Sequence, residues 1–267
     1  MEQVTVRTLK RKKREGKKIT MISTYDFLSA KYCEETGIDC LLVGDSLGMV
    51  FQGNDTTLPV TLDEIIYHTK AVRKGAPTRF LIVDMPFMSY QPSLEEGIRN
   101  CGRVLKETGA QAVKLEGGEV VADLVHKLVG YGIPVVGHVG YLPQSHHRFG
   151  GPKVVGKEEE EAEKLKRDFK VLEDAGAFMI VLESVPWRIA KEITESSSAI
   201  TIGIGAGKFC DGQVLVFHDL VGLVDYAKPK FVRRYAEGAK IFKDALKMFK
   251  LDVERGDFPT EGESYGT

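Results

Sequence analysis

Eight short apolar runs, rich in β-formers, recur along the chain and alternate with longer charged stretches. They are Ile19–Ser23, Cys40–Val43, Phe80–Val83, Ala112–Leu115, Pro134–Val136, Phe178–Leu182, Ile200–Ile204 and Val214–Phe217. The runs are continuous rather than alternating apolar and polar. That is the pattern of parallel strands covered on both faces. Between them lie amphipathic helical patterns. Glu95–Thr108 places Ile98, Cys101, Val104 and Leu105 on one side. Glu158–Ala175 opens on a run of Glu, which suits a helix N-terminus, and then gives Leu165, Phe169 and Leu172. Eight strands in β-then-α order predict an α/β fold, a (β/α)8 TIM barrel in a single domain spanning 1–267. A doubly wound open sheet is the rival, and the strand count favours the barrel. A basic helix at about 3–18 precedes the barrel, and the end from about 255–267 reads as a flexible tail.

Composition narrows the function classes. Hydrophobic residues make up 43% of the 267 and charged residues 28%, enough to bury a core, so global disorder is excluded. With 37 Lys plus Arg against 38 Asp plus Glu, the net charge is −1, which argues against a dedicated nucleic-acid binder. No apolar run reaches the roughly 18–20 residues of a membrane span, and the N-terminus lacks the apolar core of a signal peptide. Cys33, Cys40, Cys101 and Cys210 are scattered, without zinc-ligand or disulfide-framework spacing, so a reduced cytoplasmic protein is expected. Asn is limited to Asn54 and Asn100 while Lys and Glu abound, a lean toward a thermophilic source.

The chemistry lies in how the runs end. In a barrel all C-terminal strand ends meet at one mouth. There the sequence offers Asp26, Asp45, Asp84, Glu116, His138, Glu183 and His218. Acids crowded at a mouth repel one another, and a divalent cation is the usual offset. Asp45 and Asp84 are the leading ligand candidates, with Glu116 binding directly or orienting a bound water. Oxygen donors without cysteine favour a hard ion such as Mg2+. The competing reading is that these acids cap the following helices. Lys114 stands two residues before Glu116 and so shares its strand face. It would hold an anionic substrate, form a Schiff base, or neutralise its neighbours. Glu183 closes an apolar run, a setting that raises a carboxyl pKa and suits a general base for a weakly acidic C–H. Helix capping is its alternative. His138 reads either as a polarising donor or as a satisfied core histidine.

Two connections are long: Gly44–Leu62 and Tyr141–Gly156, candidates for lids or binding loops. The Gly-rich stretch Gly203–Gly212 stands where barrels often hold a phosphate, although tight loop geometry explains it better. The basic run Arg7–Lys18 carries eight Lys or Arg and reads as a solvated helix face.

With those residues in place, the chain resembles the ketopantoate hydroxymethyltransferase family over about Thr24 to Phe258. The motifs are TYD at Thr24–Asp26, VGDSLGMV at Val43–Val50, Thr56–Pro77, DMPFMSY at Asp84–Tyr90 and VKLEGG at Val113–Gly118. PVVGHVGYLPQS at Pro134–Ser145, LESVP at Leu182–Pro186 and the stretch Gly203–Asp219 follow. Only HHRFGGPKVVGK, in the second long loop, departs from the pattern. The resemblance implies a (β/α)8 barrel assembled as a homodecamer. It implies Mg2+ on Asp45, Asp84 and Glu116. Keto-acid contacts fall to Asp45, Ser46, Asp84 and Lys114, and the general base to Glu183. It implies transfer of a hydroxymethyl group from 5,10-methylenetetrahydrofolate to 3-methyl-2-oxobutanoate through a Mg-stabilised enolate, in pantothenate and hence coenzyme A synthesis. His138 is carried as a further substrate contact on its own reading above. A Mg-dependent lyase or aldolase of a related barrel is the rival enzyme, and a catalytically silent binding barrel the rival of another class.

Overall fold

The computed structural model describes residues 2–224 and 229–266. Its centre is a closed barrel of eight parallel strands in sequence order, each paired with its neighbours in the chain and the last with the first. The chain enters through helix α1 (Val6–Arg14), then β1 (Ile19–Ser23), α2 (Phe27–Glu35), β2 (Cys40–Val43), α3 (Leu47–Val50), α4 (Leu62–Gly75) and β3 (Phe80–Asp84). It continues with α5 (Leu94–Thr108), β4 (Ala112–Glu116), α6 (Ala122–Gly130), β5 (Val135–Gly140), α7 (His146–Phe149), α8 (Glu159–Asp174) and β6 (Met179–Glu183). Helix α9 (Trp187–Ser196), β7 (Ile200–Ile204) and β8 (Gly212–Val216) complete the ring, followed by α10 (Phe217–Leu220) and α11 (Gly238–Arg255). Two compact units result, 1–217 with the barrel and 218–267 with α11.

Alternation along the strands explains what fills the barrel. Inward positions form a single apolar cluster that includes Met21, Leu42, Phe80, Ile82, Ala112, Val136, Met179, Val181 and Ile202. Leu9 of α1 joins it and is fully buried, so the first helix plugs the barrel floor. The basic residues of α1 are tied there, Lys12 to Asp39 and Lys13 to Asp211 at 2.8 Å. Two or four residues further along the same inward rows, the side chains turn charged: Asp84, Lys114, Glu116, His138 and Glu183. The barrel is thus apolar below and ionic at its C-terminal mouth.

Helix ends follow their chemistry. Thr61 and Glu64 form a capping box on α4, and Ser93 caps α5. Asp26 caps α2, its Oδ1 accepting from the backbone N–H of Leu28 and Ser29. The closing joint is unlike the others. Gly205–Asp211 carries the chain from β7 to β8 with no helix among its residues, and only Ile202–Gly212 and Gly203–Gln213 pair across it. By contrast, β5 and β6 match at five positions, as do β6 and β7.

Candidate active site

Register places the mouth groups side by side. Asp84 lies opposite Lys114 on β3 and β4, and Glu116 opposite His138 on β4 and β5. Lys114 Nζ donates to Asp84 Oδ1 at 2.6 Å and stands 3.7 Å from Glu116 Oε1. His138 bridges two carboxylates, with Nδ1 3.4 Å from Glu116 Oε1 and Nε2 3.2 Å from Glu183 Oε2. Neither ring contact has hydrogen-bond geometry, so the bridge is electrostatic. Asp45 follows β2, and Gly44 before it leaves the necessary room: a Cβ there would stand 3.0 Å from Ser46 Oγ and 3.1 Å from Ser23 Oγ. Ser46 Oγ is held by Tyr25 Oη at 2.7 Å.

All but one of these charges are almost inaccessible; Glu183 keeps 17% of its side chain exposed. Burial raises Asp45 well above the ordinary carboxyl range, and the charges of Asp84 and Glu116 push it further. Burial also raises Asp84, against the pull of Lys114. Glu116 goes the other way. Burial opposes its charge, but Lys114, His138 and the Gln144 backbone N–H together hold its pKa down. Burial works against the Lys114 charge too, yet Asp84, Glu116 and Asp45 outweigh it and raise the ammonium pKa. For His138, burial and Lys114 disfavour the imidazolium, while Glu116 and Glu183 push its pKa up to about 9.

Asp45, Asp84 and Glu116 each present a carboxylate oxygen within 4.8 Å of the others. Glu116 Oε1 is buried with no hydrogen-bond partner. Three buried acids against one lysine leave negative charge to be offset, and the donor set is all oxygen. The cluster therefore fits a hard divalent cation such as Mg2+.

The strand-end residues named from sequence do not all gather here. Asp45, Ser46, Asp84, Lys114, Glu116, His138 and Glu183 come together; Asp26 instead serves as the cap of α2. His218 lies in α10, the short helix that follows β8. The Gly-rich stretch Gly203–Gly212 is mostly the helix-free β7–β8 connection, so the strand-to-helix turn that cradles a phosphate is not formed there. One residue that strand-end reasoning misses is Gln144. Its Nε2 donates to Asp45 Oδ2 at 3.0 Å and to the Met85 carbonyl at 2.9 Å. Its backbone N–H donates to Glu116 Oε2 at 3.0 Å, and its Oε1 accepts from Tyr90 Oη and Gln91 Nε2. The available signal was its place in the long loop after β5, inside the PQS motif.

A parallel α/β barrel with an acidic cation centre, a buried lysine and a further carboxylate at its mouth defines a class of enzyme sites rather than a passive barrel. Solved structures with this fold include phosphonopyruvate hydrolase in complex with oxalate and Mg++ (TM-score 0.63, 12% identity, covering 98% of this chain and 93% of that one). Another is 2,3-dimethylmalate lyase (TM-score 0.62, 14% identity, 93% and 88%). At such identities the likeness is one of fold. Within the class, the chain belongs to the ketopantoate hydroxymethyltransferase family, whose pattern matches residues 3–261. It is 67% identical to the 3-methyl-2-oxobutanoate hydroxymethyltransferase of Aquifex aeolicus, over 98% of this chain and 99% of the relative. It is 53% identical to that of Carboxydothermus hydrogenoformans, over 99% and 96%.

Proposed function

We propose that the protein is a 3-methyl-2-oxobutanoate hydroxymethyltransferase of pantothenate biosynthesis, using 5,10-methylenetetrahydrofolate as donor and giving 2-dehydropantoate and tetrahydrofolate. The observation that carries the residue assignment is Glu183 standing at the same mouth as the Asp45–Asp84–Glu116 cluster, with His138 between them. Asp45, Asp84 and Glu116 would hold Mg2+, which supplies Lewis-acid polarisation of the keto acid. Lys114, kept charged by its three acid neighbours, holds the developing enolate oxygen as a point charge. An amine held protonated in this way is a poor Schiff-base nucleophile. Ser46, fixed by Tyr25, donates to the keto acid. Glu183 takes the C3 proton. The imidazolium of His138 steadies both flanking carboxylates. Water adds to the donor's methylene carbon and both its C–N bonds break, the two nitrogens taking the two water protons and the carbon leaving as formaldehyde; the C3 carbanion adds to that carbonyl carbon, and the resulting alkoxide takes up the proton held by Glu183.

Assembly into a homo-oligomer, with a decamer as the family pattern, belongs to the same proposal. Helix α11 supports it with Ile241, Phe242, Leu246 and Phe249, each more than half exposed. All four cysteines are free and buried, and no helix among the described residues is long and apolar enough to cross a membrane. Both fit the expected cytoplasmic setting.

The test is deuterium exchange at C3 of 3-methyl-2-oxobutanoate, with and without donor. Metal-dependent exchange without donor, plus product that requires it, is the expected outcome. Cleavage of a longer acid would point to a lyase instead, and inertness to a binding barrel.

A further inference from the structure

Each of the three cluster acids has one oxygen tied to the protein and one left open. Asp84 Oδ1 accepts from Lys114 Nζ at 2.6 Å. Asp45 Oδ2 accepts from Gln144 Nε2 at 3.0 Å. Glu116 Oε2 accepts from the Gln144 backbone N–H, also at 3.0 Å. Among the described residues no hydrogen bond reaches Asp45 Oδ1 or Asp84 Oδ2. Glu116 Oε1 is buried without a partner. A buried carboxylate oxygen in that state costs free energy unless something meets it. Two of the three tied oxygens are held by one residue, Gln144, which is neither acid nor base and takes no part in the proton transfers.

The Gln144 amide is fixed at both ends. Nε2 donates its two N–H groups to Asp45 Oδ2 and to the Met85 carbonyl, at 3.0 and 2.9 Å. Oε1 accepts from Tyr90 Oη at 2.9 Å and from Gln91 Nε2 at 3.0 Å. All four hydrogen-bonding positions of the side chain are thereby filled. The reverse orientation would set Oε1 against a carboxylate and a carbonyl, two acceptors with nothing to donate. Tyr90 Oη also accepts from the Glu116 N–H at 3.1 Å, so the far end of the amide is anchored to β4. Gln144 itself lies in the turn Pro143–Ser145 that follows β5. The bond of that turn runs from the Ser145 N–H to the Leu142 carbonyl, which leaves the Gln144 N–H for Glu116. One residue thus reaches, from two different atoms, two acids that stand on different strand ends, Asp45 after β2 and Glu116 on β4.

We propose that Gln144 is the positioning residue of the cation centre: by holding Asp45 Oδ2 and Glu116 Oε2 it turns the other oxygen of each toward the ion, as Lys114 does for Asp84. The inference rests on the cation site proposed above and deepens it. A carboxylate free to turn about its last bond presents either oxygen, or both. Mg2+ demands near-ideal octahedral geometry and tolerates that freedom poorly. Partners that orient metal ligands in this way are worth about 10–100-fold in metal affinity. Gln144 needs no contact with the keto acid to act so.

The experiment titrates Mg2+ alone into metal-free enzyme by calorimetry, with no substrate present. Gln144→Met keeps the length of the side chain and removes its donors. The Mg2+ Kd is expected to rise about tenfold or more, while the metal-free protein keeps its cooperative melt. Donor-free C3 exchange should fall at limiting Mg2+ and return close to the native rate at saturating Mg2+. A group acting on the keto acid, or general damage, would not be rescued by the ion. Gln91→Leu, at an exposed residue, removes one of the two donors that set the amide and should raise the Kd in the same direction by less. An unchanged Mg2+ Kd in Gln144→Met would overturn the assignment, as would exchange that stays low when Mg2+ is saturating. Should Gln144→Met not fold, an unchanged Kd in Gln91→Leu overturns it instead. A native enzyme that takes up no Mg2+ would strike the cation site, and this inference with it.

Discussion

Glu183 differs from the other mouth carboxylates in its access to solvent and in its neighbour. It keeps an edge exposed, and its contact in the cluster is His138 rather than Lys114. Ser184, directly after it, has φ of +51°, uncommon for a non-glycine residue. That turn is held at both ends, Ser184 N–H donating to the Ile204 carbonyl and Val155 N–H to the Ser184 carbonyl. Such strain at the end of a strand is the kind that persists when a side chain must be aimed. Glu183→Gln keeps the shape but not the basicity. It should lower C3 exchange by about 10²–10⁴-fold while keto-acid binding is retained. Exchange near the native rate would move the base elsewhere. Asp84→Ala tests the other half of the site. It removes a cation ligand and strands the Lys114 ammonium, so Mg2+ affinity measured by calorimetry should fall by more than about tenfold. Wild-type affinity would refute its place as a ligand.

At the scale of elements, the end of α8 shows how one carboxylate can organise a connection. Glu173 Oε1 accepts from Ser197 Oγ, from the Ser198 N–H and Oγ, and from the Ala199 N–H, all at 2.7–3.0 Å. Burial opposes its charge, but these donors win and bring the pKa down to about 2. A depressed folded-state pKa stabilises the fold at pH above the unfolded value of about 4.5, and the benefit is lost as pH falls toward 2. Glu173→Gln should therefore lose about 1–2 kcal/mol near neutrality, after allowing for solvent screening. The gap from native in urea titrations should close between about pH 4.5 and 2; a constant gap would disprove the linkage. The elements themselves were largely readable. β1, β2 and β7 have the ends their apolar runs predict. β3, β4 and β6 extend one residue further, onto Asp84, Glu116 and Glu183, because the ladder does not stop where hydrophobicity does. The apolar run Pro134–Val136 stops four residues before the end of β5 at Gly140, because Gly137, His138 and Gly140 break its apolar pattern. In the structure Gly137 is a strand residue on which α8 packs, a Cβ there meeting Leu172 at 2.8 Å. Gln144 was not legible as a site residue, because its role comes from five partners distant in sequence, Asp45, Met85, Tyr90, Gln91 and Glu116, that only the closed ring brings together.

At the scale of the whole molecule, α11 is an 18-residue helix with one buried residue, Gly238, and a row of exposed Ile, Leu, Met and Phe. Left in water, such a surface is unfavourable by roughly 25 cal/mol per Å² of apolar area. Sedimentation should show a species larger than 29.6 kDa. Phe242→Glu with Phe249→Glu should shift it toward monomer, and an unchanged coefficient would exclude α11 from the interface. The barrel, for its part, is a ring of eight staves with one loose joint. Two paired positions and a helix-free connection join β7 to β8, whereas β8 meets β1 over five. A hoop opens where its fastening is weakest. Backbone amides at that joint are the ones to lose protection first, in a local opening that leaves β5 and β6 closed until the whole ring unfolds. The cation-site acids Asp84 and Glu116 sit on β3 and β4, on the far arc, so the breathing of the ring is kept away from their spacing, while Glu183 on β6, paired with Ile204 of β7, stands next to the joint and feels it first.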